Sequence, residues 1–320
     1  MSLKNKIIVV TGGAGFIGSH LVDALIKENP EKIIVLSNFY LGKEENLNEA
    51  KENFDNLRIC HVSVSDFETT KKIFENANAD IVYNLAVIPL PASLEDPLES
   101  TIENVKIATN ICEMQRKGLF KKLIHFSSSE AYGSAQYVPM NEKHPLAPET
   151  PYAASKASGD LIVESYFRTF KLENAILRPF NNYGPRQNAG KFAGIIPIVI
   201  KKILNNEDIT INGDGEQTRD FVFVKDTAKA AIEFAKMNEV LGKTINIATG
   251  REISMNYLVN SILKEFNFKG KILHGPARPG DVRRHFGDNS FAKKLINFEP
   301  KVKFEDGIKI TCDWYKKNLK

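Results

Sequence analysis

The chain is predicted to be an α/β protein, a doubly wound parallel sheet followed by a smaller, loop-rich C-terminal lobe. Three observations predict it. Four apolar β-formers, Ile7-Ile8-Val9-Val10, run into the glycine-rich turn Thr11–Gly18, and an apolar-periodic segment, Leu21 to Ile26, follows at once. Short apolar strands then alternate with helical patterns to about residue 180, the order that right-handed crossovers turn into a parallel sheet. After Pro179 the texture changes to shorter elements between turn-rich stretches, at Asn181–Pro185, Gly213–Gly215 and Gly275–Gly280.

The first strand and its turn are the most informative stretch. The glycines read as Gly13-x-Gly15-x-x-Gly18 or Gly12-x-x-Gly15-x-x-Gly18. A pyrophosphate needs the bare N–H groups of a helix N-terminus, and a Cβ in the turn would block its approach. The context of strand, turn and helix predicts a dinucleotide on Gly12, Gly15 and Gly18 and on the first helical residues Phe16 and Ile17. This is a Rossmann arrangement. Residues 1–180 are read as the dinucleotide-binding domain and 181–320 as a lobe over the carboxyl ends of the strands, with the chain free to cross between the two.

The remaining strands are expected at Ile33–Leu36, Arg58–Val62, Ile81–Ala86, Lys122–Ser127 and Ala175–Arg178, and the helices at Leu21–Lys27, Phe67–Asn76, Thr101–Lys117 and Tyr152–Phe170. The second strand ends in Ser37-Asn38, where a site for NAD usually carries an acid that holds the ribose hydroxyls. No arginine follows at once to hold a 2′-phosphate, and Lys43 is the nearest cation in sequence. Ser37 and Asn38 can hydrogen-bond a ribose, so NAD is the expected cofactor and NADP the second choice.

Bulk properties exclude several classes. The net charge of +4 is spread without a basic block, so no nucleic-acid partner is expected. Cys60, Cys112 and Cys312 are far apart and in no metal-ligand spacing, so no metal is expected. They read as buried thiols in a reducing cytoplasm. No apolar run has membrane-spanning length, and no membrane partner is expected.

Tyr152 and Lys156 stand four residues apart on one helix face. A neighbouring cation favours phenolate, lowering a pKa of about 10 and fitting the tyrosine for base chemistry near neutrality. Just upstream, Ser127-Ser128-Ser129-Glu130 closes a predicted strand. A strand-end hydroxyl can bond the same substrate oxygen that the tyrosine deprotonates, which suits hydride transfer from an alcohol carbon.

These motifs, in this order along the chain, resemble the extended short-chain dehydrogenase/reductases of the nucleotide-sugar epimerase/dehydratase family. The matching stretches are Thr11–Gly18, Ser127–Gly133, Tyr152–Lys156, Arg178–Arg186, Gly213–Phe221 and Arg278–Asp281. The resemblance implies that Tyr152 and Lys156 anchor the nicotinamide ribose and act on a sugar hydroxyl, with Ser128 as the catalytic hydroxyl. It implies Ser63, Leu85 and Ala86 beside the cofactor. It also implies a nucleotide-diphosphate sugar held by Asn181, Arg186, Arg219 and Arg278; arginine forks suit phosphate oxygens. Members usually dimerise through two long helices, here near Thr101–Lys117 and Tyr152–Phe170. The chain departs from the family at Ser37, at Ser63, where an acid is expected with Asp66 nearby, and at Val87–Pro91 after the fourth strand.

Every reaction of the family begins with removal of the 4-hydroxyl proton and hydride loss from C4. Glu130 is the residue that separates the outcomes: epimerases of the family commonly carry a small or apolar residue there, whereas dehydratases and uronic-acid decarboxylases carry glutamate. Ser129 stands where hexose dehydratases have an acid. The stretch Ser128–Pro145 resembles the 4,6-dehydratases of legionaminic-acid pathways. The expected function is therefore a nucleotide-sugar 4,6-dehydratase. The alternatives are a 4-epimerase, then a uronic-acid decarboxylase or a net C4 oxidoreductase, and, outside catalysis, a dinucleotide-sensing binding module.

Overall fold

A computed structural model describes residues 1–277 and 282–319. The first half of the chain runs β1 (Ile7–Thr11), α1 (Phe16–Ile26), β2 (Lys32–Ser37), α2 (Asn48–Asn53), β3 (Leu57–His61), α3 (Phe67–Glu75), β4 (Ala79–Asn84), α4 (Leu90–Glu95), α5 (Pro97–Arg116), β5 (Phe120–Phe126), α6 (Pro151–Phe170) and β6 (Glu173–Pro179). The second half runs β7 (Asn181–Tyr183), α7 (Ile195–Leu204), β8 (Ile209–Asn212), β9 (Thr218–Arg219), β10 (Phe221–Phe223), α8 (Val224–Lys236) and β11 (Thr244–Ile247). It closes with β12 (Ile253–Ser254), α9 (Met255–Phe266), β13 (Ile272–Gly275), β14 (Arg284–His285), α10 (Ser290–Ile296) and α11 (Phe304–Asn318).

Seven strands form one sheet in the order β11-β6-β5-β4-β1-β2-β3, every pair parallel. The predicted doubly wound sheet is what the chain folds into. A parallel sheet is covered on both faces, which is why its strands read as near-continuous apolar runs. Ile8 and Val10 face one layer with Leu21 and Leu25 of α1 and Ala231 and Phe234 of α8. Val9 faces the other with Val82, Ile107 and Ile111. A third apolar cluster, including Tyr183, Ile200, Phe223 and Phe304, belongs to the lobe after β6.

Several boundaries differ from the sequence reading. Helix α1 starts at Phe16 rather than Leu21, because its first turn is chosen by the glycine geometry and carries no apolar period. Strand β4 stops at Asn84, since the next two N–H groups, of Leu85 and Ala86, turn to donate to Thr11 Oγ1 at 3.1 Å each. The seventh strand, β11, and the covering helix α8 come from beyond residue 180, so the chain crosses back into the first layer system. Cys112 and Cys312 are buried, whereas Cys60, on the edge strand β3, is only half-buried.

Candidate active site

The carboxyl ends of the central strands and the lobe above them enclose a cleft of about 810 Å³. Every site residue expected from sequence lines it, apart from Arg278, which lies outside the described residues.

At one end the glycine turn wraps the N-terminus of α1. Gly12 has φ +66°, and a Cβ on Gly18 would sit 2.3 Å from the Gly12 carbonyl oxygen, so neither position admits a side chain without a shift. Gly15 caps α1 without a side-chain bond, and the first turn holds no acid. The orphan N–H groups and positive dipole end of α1 are thus left to an anion, and Phe16 and Ile17 line the cleft there. These residues fit the pyrophosphate of a dinucleotide. Ser37, Asn38 and Ser63 line the adjoining end. Asp66, near the expected acid position, is not on the wall; its carboxylate caps α3 by accepting from Thr69 N at 3.1 Å.

Deeper in, β5 delivers Ser128, Ser129 and Glu130 in a short 3-10 turn, and the first turns of α6 deliver Tyr152 and Lys156. Ser128 Oγ accepts from Glu130 N at 3.2 Å, which leaves its proton to donate. The Tyr152 phenol meets the Ser128 hydroxyl and feels the Glu130 charge. The Lys156 ammonium donates to the Phe126 carbonyl. Here the structure differs from the sequence expectation. Burial pushes the phenol up to about 12, opposed by the Ser128 hydrogen bond, and Lys156 is not among the groups that lower it. Burial also brings Lys156 down to about 8, with Asp160 acting against it. A lysine four residues away is a neighbour by helix geometry, but its charge is directed at a backbone oxygen.

Behind these groups lies a network that the sequence reading missed. Asp160, one turn beyond Lys156, pairs with Arg178 at 2.5 Å and accepts from Ser127 Oγ at 2.7 Å, all three buried. Asn104 on α5 clamps the loop after β4 through Ile88, accepting from its N–H at 2.7 Å and donating to its carbonyl at 3.0 Å. It also donates to Ser155 at 3.0 Å. In the sequence nothing set it apart, because it is one of three polar residues, with Ser100 and Gln115, on the buried face of α5. His285 donates from Nε2 to the Ser129 carbonyl at 3.2 Å, tying β14 to the Glu130 turn; no pattern announced it.

On the lobe side, Asn181 and Arg219 line the cleft. Arg219 also donates to the Thr218 and Val282 carbonyls at 2.9 and 2.7 Å. Arg186 lines it as well, but its guanidinium is taken by Asp23 at 2.5 Å and Glu49 at 3.0 Å, so it fastens the lobe to α1 and α2 rather than presenting an uncommitted fork. Among the described residues no group of three or more His, Cys, Asp or Glu is placed to hold a metal, and no helix is long and apolar enough to cross a membrane.

Comparison with known proteins agrees with this architecture. The chain matches the family described as GDP-mannose 4,6-dehydratase over residues 9–311. A putative UDP-glucose 4-epimerase of Methanocaldococcus jannaschii is 38% identical over 313 residues, covering 97% of this chain and 99% of that one. The crystal structure of a Thermotoga maritima UDP-glucose 4-epimerase with UDP-glucose superposes with TM-score 0.91 at 34% identity, covering 98% and 99% of the two chains. A dTDP-glucose 4,6-dehydratase of Streptomyces venezuelae with NAD bound gives TM-score 0.91 at 28% identity, over 97% of each chain. The chain belongs to the nucleotide-sugar epimerase/dehydratase family of the extended short-chain dehydrogenase/reductases.

Proposed function

We propose that the protein is an NAD-dependent enzyme that modifies a nucleotide-diphosphate sugar through its C4 ketone, and that the outcome is 4,6-dehydration. Glu130 carries this reading: its carboxylate shares the cleft wall with Ser128 and lies near enough to Tyr152 to act on its charge. An epimerase, which needs only one acid–base group at O4, has no required use for it. Gly12, Gly15 and Gly18 would hold NAD, which would supply hydride chemistry to the sugar, an acceptor for the C4 hydride and a donor of it to C6 once the 6-hydroxyl has left. Tyr152 takes the 4-hydroxyl proton, with Ser128 hydrogen-bonded to the same oxygen. The ketone acidifies the C5 proton, and Glu130 removes it. The glutamic acid so formed protonates the departing 6-hydroxyl, with the Ser129 hydroxyl as relay, and water leaves. Solvent then supplies the proton at C5. Asn181, Arg219 and Arg278 are the proposed contacts to the nucleotide diphosphate.

The second reading is a 4-epimerase, favoured by the 38% identity to the Methanocaldococcus jannaschii relative. Incubation with UDP-, dTDP- and GDP-linked hexoses and N-acetylhexosamines, read by mass spectrometry, decides between them. Loss of one water is expected, whereas an isomer of unchanged mass establishes the epimerase. Glu130→Gln is expected to abolish water loss while C4 oxidation still leaves reduced nucleotide on the protein; unchanged turnover removes Glu130 from the mechanism.

A homodimer through α5 and α6 is part of the proposal. These helices pack on each other within the chain yet leave Leu98, Ile102, Leu161 and Phe170 exposed, and light scattering tests it. A reducing, cytoplasmic setting accords with three cysteines that are all free.

A further inference from the structure

Asp220 is a fully buried acid that the proposed chemistry does not use. It stands between β9 and β10 and, unlike Arg219 before it and Asn181 on β7, it does not line the cleft. Strand β9 lies in the three-stranded sheet β12-β9-β14, whereas β10 pairs with β7 in a second small sheet. The chain passes from one sheet to the other at this residue. Arg219 is carried by the first sheet and Asn181 by the second.

Every polar atom of Asp220 is engaged at that junction. Its N–H donates to the His285 carbonyl of β14 at 3.0 Å, and its own carbonyl accepts from Asn181 N at 3.0 Å. Oδ1 accepts from Thr249 N at 2.8 Å and Thr249 Oγ1 at 2.6 Å. Oδ2 accepts from Gly250 N at 2.8 Å and Gly287 N at 3.4 Å. Thr249 and Gly250 follow β11, an edge strand of the seven-stranded sheet, and Gly287 follows β14. One side chain therefore locks both small sheets to the large one. The Arg219 guanidinium depends on this lock, because it donates to the Val282 carbonyl just ahead of β14. Buried donors that lose their acceptor pull the surrounding backbone toward new partners or water.

We infer that Asp220 is a positioning residue for the diphosphate end of the cleft: without touching the ligand, it holds Arg219 and Asn181 at a fixed spacing. The inference deepens the nucleotide-sugar reading of the cleft and rests on it.

Full-length protein saturated with NAD is titrated by isothermal titration calorimetry with UDP, dTDP and GDP, and NAD binding is measured separately. Asp220→Asn turns one accepting oxygen into an NH₂ that faces N–H donors. It is expected to weaken the nucleoside diphosphate by about tenfold or more and NAD by less than about threefold. A merely structural role would lower both alike. In an Arg219→Ala background the same substitution is expected to add less than about threefold, because the side chain it positions is gone. Thr249→Val removes one donor and leaves the acid in place, so it decides the matter if Asp220→Asn does not fold. It is expected to weaken the diphosphate by about threefold, with Thr249→Ser at the wild-type value. Unchanged diphosphate affinity in Asp220→Asn, or in Thr249→Val where the first variant does not fold, overturns the inference. Equal weakening of NAD, or full additivity with Arg219→Ala, does so too. If the wild-type protein binds none of the three diphosphates, the nucleotide-sugar reading itself fails and takes the inference with it.

Discussion

Tyr152 shows how far a motif constrains chemistry. Its spacing from Lys156 was legible in the sequence, but burial decides the protonation: the phenol is pushed up to about 12 while Lys156 is brought down to about 8. At that value Tyr152 is a neutral phenol near pH 7, and the positive charge of an oxidised nicotinamide held beside it would favour phenolate. Tyr152→Phe is expected to lower turnover by about 10²-fold or more while nucleotide remains bound; loss of nucleotide instead of turnover, seen by mass spectrometry of the purified variant, assigns the phenol to binding. Gly18 has a more local logic. A methyl group there meets the Gly12 carbonyl at 2.3 Å, and backbone cannot swing aside as a side chain can. Gly18→Ala is expected to cost at least tenfold in dinucleotide affinity by calorimetry, about 1.4 kcal/mol.

At the level of elements, the buried Arg178–Asp160 pair joins β6 to α6 and sets the helix that carries Tyr152 and Lys156. Burial of a charge is tolerated only with its partner, so Asp160→Ala, which strands the guanidinium, is expected to destabilise the fold by about 3–5 kcal/mol in urea unfolding. A loss below about 1 kcal/mol contradicts that account. The strands of the first half were readable because burial on both faces writes them as unbroken apolar runs. Strand β11 was not, since four residues beyond a turn-rich stretch carry no period, and only pairing with β6 makes them part of the sheet. The acid expected at the adenosine end was absent from sequence, and the structure explains the nearby one: Asp66 caps α3.

At the scale of the whole molecule, the site is a junction of two layer systems, and that is why only part of it was legible. Motif residues could be placed in the cleft one by one. His285, Asn104 and the Asp23–Arg186 tie could not, because each acts across parts of the chain that only folding brings together. One of these seams, and the neighbouring contact of His20 with the loop after β7, depend on neutral histidines. His20 donates to the Pro185 carbonyl at 3.0 Å, and burial holds it and His285 at about 4, below the usual 6.5. Their contribution is complete above about pH 6.5 and is lost as pH falls toward about 4, on the order of 3 kcal/mol each. Asp220 opposes this. Burial raises it to about 6, so its contribution is complete below its unfolded value and lost as pH rises through about 6. The loss of Tm between about pH 6.5 and pH 4 is expected to be smaller in His285→Gln than in the wild type, because that variant has no imidazole to charge there. A Tm loss as large in His285→Gln as in the wild type contradicts the assignment.

The role of Glu130 at C5 is tested most directly by running the reaction in heavy water and weighing the product sugar. If Glu130 passes the C5 proton to the departing hydroxyl, the product has lost one water and gained one deuterium at C5. A product of unchanged mass without deuterium means that C5 is never touched, and the dehydratase account fails.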